Sequence, residues 1–320
     1  MIEVQGLTRF YDRRPAIQDV TFSVPKGQVL GFLGPNGAGK STTMRILAGF
    51  LGMSAGTASV DGFDVFKYSL EVRRRIGYLP ETNPLYNEMR VTGFLDLMCR
   101  LRGVPPSKRR GRVEHAIDAC GLEDRRDEII GRLSKGLRQR VGLAQAIVHD
   151  PPVLILDEPT AGLDVAQAQK TRTVVKELGR QHTVILSSHI LPEVAATCER
   201  VLIINEGRIV ADDTPQRLSD RLGRDQGQEI EMLLRGQGGA DQIEAKLRQV
   251  AGVDEVVVSA EGDEVWRVVV SGVPALREEL TRVAVEAGLG VREVHARRPT
   301  LEDVFLSLTA DDESDPADEE

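Results

Sequence analysis

Residues 28–51 read QVLGFLGPNGAGKSTTMRILAGFL, and this stretch decides the fold. Its opening, VLGFL, is a short, wholly apolar run, the pattern of a strand buried on both faces. Its closing part, from Lys40, spaces apolar residues as a helix does. Between them Gly34-Pro35-Asn36-Gly37-Ala38-Gly39-Lys40-Ser41-Thr42 fits G-x-x-x-x-G-K-[ST] in the strand-to-helix context that gives this pattern meaning. Gly34, Gly37 and Gly39 let backbone amides turn toward a polyphosphate without a Cβ in the way. The helix aims its positive N-terminal end at the same anion. Lys40 supplies a point charge for β- and γ-phosphates, and Ser41 offers a hydroxyl to Mg²⁺.

A second apolar run, VLILDEP from Val153, stops at two adjacent acids, Asp157 and Glu158. Side chains alternate at a strand end, so the two carboxylates can do different work. Beside a phosphate loop, Asp157 is placed to reach Mg²⁺, and Glu158 to face the γ-phosphate and polarise an attacking water as general base. A third run, TVILSSH, ends in His189. A histidine at a strand end is by itself an ordinary polar residue, as are His115, His149, His182 and His295.

Apolar strands alternating with helical patterns predict an α/β core around a parallel sheet. IEVQGLTRFY and DVTFSV read as strands separated by a DRRP turn, and VLIINEGRIV reads as strand–turn–strand. The spans 89–104, 107–122 and 135–150 read as helices, a helical subdomain over about 88–150. Composition shifts near Asp220, where a polar, Gly-containing linker is expected at 218–228 between a domain of residues 1–217 and an accessory domain of 229–309. The accessory part reads β-α-β-β-α-β, a small α+β ferredoxin-like arrangement, followed by a helix in RPTLEDVFLSLTA. Residues 310–320 read as an acidic disordered tail.

The net charge of −8 sits largely in that tail, since the last ten residues carry seven acids and no base. The rest of the chain is nearly neutral and lacks the basic excess of a nucleic-acid-binding surface, so no nucleic acid is expected as a partner. No window approaches the ~18–20 consecutive apolar residues of a membrane span, and the N-terminus shows no apolar signal region. A cytoplasmic protein, or one on the cytosolic face of a membrane, is the expectation. Cys99, Cys120 and Cys198 match no metal spacing and read as buried thiols of a reducing compartment.

Taken in order, these residues resemble the ATP-binding subunits of ABC transporters over about residues 2–217, which implies a P-loop NTPase fold: a RecA-like core with a β-subdomain and a helical subdomain. GPNGAGKSTT is similar to the Walker A motif, LSKGLRQR from Leu133 to the signature motif, and VLILDEPTAGLD to Walker B running into the D-loop. The resemblance implies ATP and Mg²⁺ as ligands, with Glu158, His189 and Lys40 catalytic and Tyr11 stacking on adenine. His189 then corresponds to the switch histidine. It also implies two subunits, identical or related, joined head-to-tail around two ATP molecules. Ser134 and Gly136 of one would contact the γ-phosphate held by the other, at a helix N-terminus suited to an anion. Asp164 would lie at that interface.

Two departures stand out. LSKGL replaces the usual LSGGQ, keeping the serine and the second glycine but adding Lys135. Glu81, in IGYLPE, replaces the usual glutamine, so a carboxylate takes the place of an amide that ligates Mg²⁺ and senses the γ-phosphate. The segment that follows, with Pro84, Leu85, Tyr86 and Met89, is where such subunits receive a helix from a separate membrane permease. The ending RRPTLEDVFLSLT resembles the drug-resistance, gliding-motility and polysaccharide-exporter group, in which ATPase and permease are separate chains. The competing readings are a soluble ABC-type ATPase acting on ribosome or DNA, and an ATP-dependent regulator without turnover. One cassette, no sustained heptads between phosphate loop and signature, and an intact set of Lys40, Asp157, Glu158 and His189 argue against both. No N-K-x-D motif supports a GTPase.

Overall fold

The protein is described by a computed structural model covering residues 1–225, 228–262, 264–272, 276–297 and 300–310. The expected acidic tail lies outside these residues, except for Ala310, which ends the last helix. The chain divides into two compact units, Met1–Pro215 and Gln216–Glu320.

The first unit holds two sheets. β1 (Ile2–Tyr11) and β2 (Arg14–Val24) form an antiparallel hairpin. β2 starts earlier than the expected DVTFSV strand, at Arg14, which pairs with Tyr11 across a two-residue turn. Pro15 is tolerated in this strand because β2 is an edge strand, where a missing N–H costs no ladder bond. β3 (Val29–Leu33) leads into α1 (Lys40–Leu47). β4 (Ala55–Val60) and the short β5 (Phe63–Asp64) complete the antiparallel sheet in the order β2-β1-β4-β5.

α2 (Ser69–Arg75) then enters β6 (Ile76–Leu79). Three helices follow: α3 (Val91–Leu101), α4 (Pro106–Ala119) and α5 (Lys135–Ile147). The chain returns through β7 (Val153–Asp157), α6 (Val165–Gly179), β8 (Thr183–Ser188), α7 (Leu191–Thr197), β9 (Arg200–Asn205) and β10 (Arg208–Asp213). These strands make a six-stranded sheet in the order β10-β9-β3-β8-β7-β6. All its pairs are parallel except β9–β10, whose hairpin turns on Glu206 at φ 44° and Gly207 at φ 78°. Every residue of β3, β6, β7 and β8 is buried, which explains their unbroken apolar runs.

Where the composition suggests a linker at 218–228, the chain instead forms α8 (Pro215–Asp225). Pro215 suits a first helical position, and Leu218 is buried, so a polar-looking segment has an apolar anchor. The second unit continues with β11 (Gln228–Arg235), α9 (Ala240–Leu247), β12 (Val253–Gly262), β13 (Val265–Gly272), α10 (Arg277–Glu286), β14 (Gly290–Arg297) and α11 (Leu301–Ala310). Its sheet is antiparallel throughout, in the order β12-β13-β11-β14. Ile230, Met232, Val268 and Val270 from the sheet meet Ile243, Leu247, Leu280 and Ala284 from α9 and α10 in a core of its own.

Candidate functional site

The site gathers at the carboxyl ends of β3, β7 and β8, where open parallel sheets place their ligands. Register puts the groups there. Leu33 aligns with Ser188, and Asp157 with Ser187, so the residues just past each strand emerge side by side.

Backbone sterics shape the loop after β3. Gly39, the N-cap of α1, has φ 108°, a region that side chains avoid. A Cβ there would lie 2.5 Å from Ile17 Cγ2 and 2.7 Å from the Ala16 carbonyl. A Cβ on Gly34 would meet the Ile204 carbonyl at 2.4 Å. The Lys40 ammonium is buried and donates to the carbonyls of Gly34 at 2.6 Å and Pro35 at 3.1 Å. It stands 3.8 Å from Glu158 Oε1. Burial pulls its pKa below the ordinary lysine value, against the opposing pull of Glu158, Asp157 and Glu81.

Asp157 is fully buried at the end of β7. Its Oδ1 accepts from Ser187 Oγ at 2.6 Å and Ser41 Oγ at 3.1 Å. Its Oδ2 is buried with no partner among the described residues. Glu158 turns the chain in a left-handed conformation, φ 49°, a strain that must be held from outside. Its N–H donates to Ser187 Oγ at 2.9 Å, so one hydroxyl serves both acids. The Glu158 carboxylate accepts from His189 Nδ1 at 2.9 Å, which places the imidazole proton on Nδ1. Lys40 and His189 thus approach the two oxygens of one buried carboxylate.

Pro35, Asn36, Gly37, Gly39, Lys40, Ser41, Thr42, Glu81, Glu158 and His189 line one cleft of about 370 Å³, room for a polyphosphate. The buried, unpaired Asp157 Oδ2 and the nearby Ser41 hydroxyl supply two hard oxygen donors. Among the described residues no group of three His, Cys, Asp or Glu side chains could hold a metal alone. That donor set fits Mg²⁺, which keeps waters and phosphate oxygens for the rest of its shell.

The other predicted residues lie elsewhere. Tyr11, half exposed at the end of β1 with the Arg9 guanidinium 5.2 Å over its ring, does not line this cleft. Ser134 is the N-cap of α5, its Oγ accepting from the Leu137 amide at 3.3 Å. Gly136 leaves room for Gln167, whose Oε1 would be 2.5 Å from a Cβ. Asp164 caps α6 by accepting from the Gln167 amide at 2.8 Å. A neighbouring cleft of about 590 Å³ is lined by Glu81, Leu85, Lys135, Arg138 and Gly162 among others. Tyr86 is half exposed and meets the Phe94 ring edge-on at 5.9 Å. Sequence reasoning passed over Ser187, Thr160 and Glu193. Two serines closing an otherwise apolar strand were the one available signal for Ser187.

Residues 17–161 match the family model described as ABC transporter. The daunorubicin/doxorubicin resistance ATP-binding protein DrrA of Streptomyces peucetius is 35% identical over an alignment of 326 positions, covering 100% of this chain and 95% of that protein. The chain is an ATP-binding subunit of the ABC transporter family. Another such subunit, the ABC transporter ATP-binding protein NatA of Bacillus subtilis, is 40% identical over 208 residues, 63% of this chain and 84% of NatA. A solved ATP-binding subunit of an ABC transporter superposes with a TM-score of 0.63 at 30% identity, over 70% of this chain and 93% of that one. The ABC subunit described here therefore binds ATP and is an ATPase with the P-loop NTPase fold. Among its described residues no helix is long and apolar enough to cross a membrane.

Proposed function

We propose that this subunit hydrolyses Mg-ATP with Glu158 as general base and drives export through a separate membrane permease. The observation that carries the reading is the convergence of Lys40, Glu158 and His189 beside an unpaired Asp157 oxygen. The loop 34–42 cradles the phosphates, and Lys40 neutralises the γ-phosphate. Ser41 and Asp157, with Glu81 beside them, would hold Mg²⁺, which would supply charge neutralisation for the phosphates. Glu158 takes the proton of the water that attacks phosphorus. The bond to the bridging oxygen breaks, and ADP and phosphate leave. The His189 N–H holds the carboxylate oriented, and Tyr11 offers its exposed face to adenine.

Ser134 and Gly136 sit at the start of α5, away from the subunit's own phosphate cleft. This supports a head-to-tail dimer, of two copies or of this chain with a relative, in which each signature segment completes the partner's site. Asp164, on the loop beside Gly162, would report across that interface. Leu85, which lines the neighbouring cleft, and the half-exposed Tyr86 support a contact for the permease here, and a subunit docked in this way would work on the cytosolic face of the membrane. Export follows the resistance named in DrrA.

Two experiments test this. Glu158→Gln should keep ATP binding, cut turnover about 100-fold or more, and trap a dimer in Mg-ATP. Near-normal hydrolysis would remove Glu158 from its role. Mild-detergent affinity purification from native membranes should bring down a multi-span permease. A preparation carrying ribosomes and no membrane protein would instead favour the soluble ATPase reading.

A further inference from the structure

Glu158 and His189, which meet at the phosphate cleft, come from different segments. Glu158 follows β7 and His189 follows β8, and neither is self-supporting. The Glu158 backbone is in a left-handed conformation, and the His189 side chain is 50% exposed, so packing alone does not hold their 2.9 Å contact. A second tie joins the same two segments. Thr160 Oγ1 donates to Glu193 Oε2 at 2.6 Å. Thr160 is buried two residues past Glu158, beyond the fixed φ of Pro159. Glu193 is four residues past His189, in the first turn of α7, with its side chain 13% exposed. Its other oxygen faces Arg172 Nη1 of α6 at 3.9 Å. The space beside this tie is about 10 Å³, at the lower limit for one water, so the bond is direct and not bridged by solvent. A short hydrogen bond to a carboxylate in such a setting is among the stronger ones available to a protein.

We propose that Glu193 is a positioning residue for ATP hydrolysis: through Thr160 it holds the Glu158 loop against the His189 segment and so keeps the general base aimed. The inference rests on the roles proposed above for Glu158 and His189. Neither Thr160 nor Glu193 lines the phosphate cleft, so breaking the tie lowers turnover and spares binding.

Steady-state ATPase assays on the full chain test it. Thr160→Val should lower kcat about 10- to 100-fold with KM for ATP within about threefold. Thr160→Ser, which keeps the hydroxyl, should recover to within about threefold of wild type. Glu193→Ala should cost at least as much as Thr160→Val, since it also removes the carboxylate that faces Arg172, and adding Thr160→Val to it should cost nothing further, because the tie is already broken. In a His189→Ala background, where the aim is already lost, Thr160→Val should cost less than about threefold. A kcat near wild type in Glu193→Ala, equal losses in the valine and serine variants, or the full cost persisting without His189 would each overturn the proposal. Glu158→Gln separates the two levels. If it stays active, the roles themselves fail. If it is inactive while Thr160→Val and Glu193→Ala turn over normally, only the positioning role fails.

Discussion

Ser187 makes a demanding test, because one buried hydroxyl holds two acids. In Ser187→Ala the Asp157 carboxylate loses its 2.6 Å donor and keeps only Ser41 at 3.1 Å. The Glu158 N–H, buried with no solvent access through a fully buried serine, loses its acceptor at 2.9 Å. An orphaned buried amide costs about 1–3 kcal/mol, and a hydrogen bond to a charged group contributes about 1.5–3 kcal/mol. The deleted oxygen leaves too little room for a water to take its place. The expected loss is therefore about 3 kcal/mol or somewhat more. For a unit of this size that lowers Tm by about 10 °C. Thermal and urea denaturation of the nucleotide-free chain would measure it, with ATPase turnover followed in parallel. Turnover should fall as well, since the Glu158 backbone loses a support for its left-handed turn. A stability loss under about 1 kcal/mol with unchanged kcat would refute the claim that this hydroxyl organises the site.

Burial, with Arg102 nearby, holds His149 at about 4 instead of its ordinary 6.5. The unfolded chain therefore takes up this proton first as pH falls, and about 3 kcal/mol of stability present above pH 6.5 is lost by pH 4. His149→Gln should flatten urea midpoints over that window, and equal slopes in the two proteins would count against it. Gly39→Ala must force a side chain into φ 108° with the Ala16 carbonyl 2.7 Å away, at a cost of about 2–4 kcal/mol, and ATP affinity measured by equilibrium dialysis should fall at least about tenfold. Glu81→Gln should keep the ATPase rate within about tenfold of wild type, because the amide oxygen keeps the ligand while removing a charge. Total inactivation would show that the carboxylate is required.

The parts of this molecule legible in its sequence are those where local chemistry leaves little choice. Glycines at 34 and 39 report backbone close approach, Gly37 a positive φ, and acids at the end of an apolar strand report a pole of charge at the carboxyl end of the sheet. Apolar runs such as VLILD announce strands covered on both faces. What escaped reading depends on neighbours distant in sequence. Pro15 argues against a strand until β2 is known to be an edge. DRLGRDQGQ looks like a linker until Leu218 is seen to be buried just ahead of it and the helix is seen to run through to Asp225. Thr160 and Glu193 are 33 positions apart and carry no motif, so only the fold pairs them. Ser134 and Asp164 are helix N-caps within the subunit, a local duty that motif reading does not reveal.

The order of the parallel sheet has a consequence for how the protein is made. β3, which carries the phosphate loop, and β7, which carries the acids, are not neighbours, because β8 lies between them and bonds both. A nascent chain that has reached residue 161 already contains every residue of both motifs and still cannot bring them to their working distance. Residues 183–188 must be synthesised and threaded into the gap, about 1 to 5 seconds later at ordinary translation rates. Until β8 is in place, β3 and β7 each lack a partner on the edge that it covers. The catalytic cleft is thus completed by a strand encoded after both motifs, and a chain ending before Thr183 would keep both motifs intact yet lack the strand that joins them.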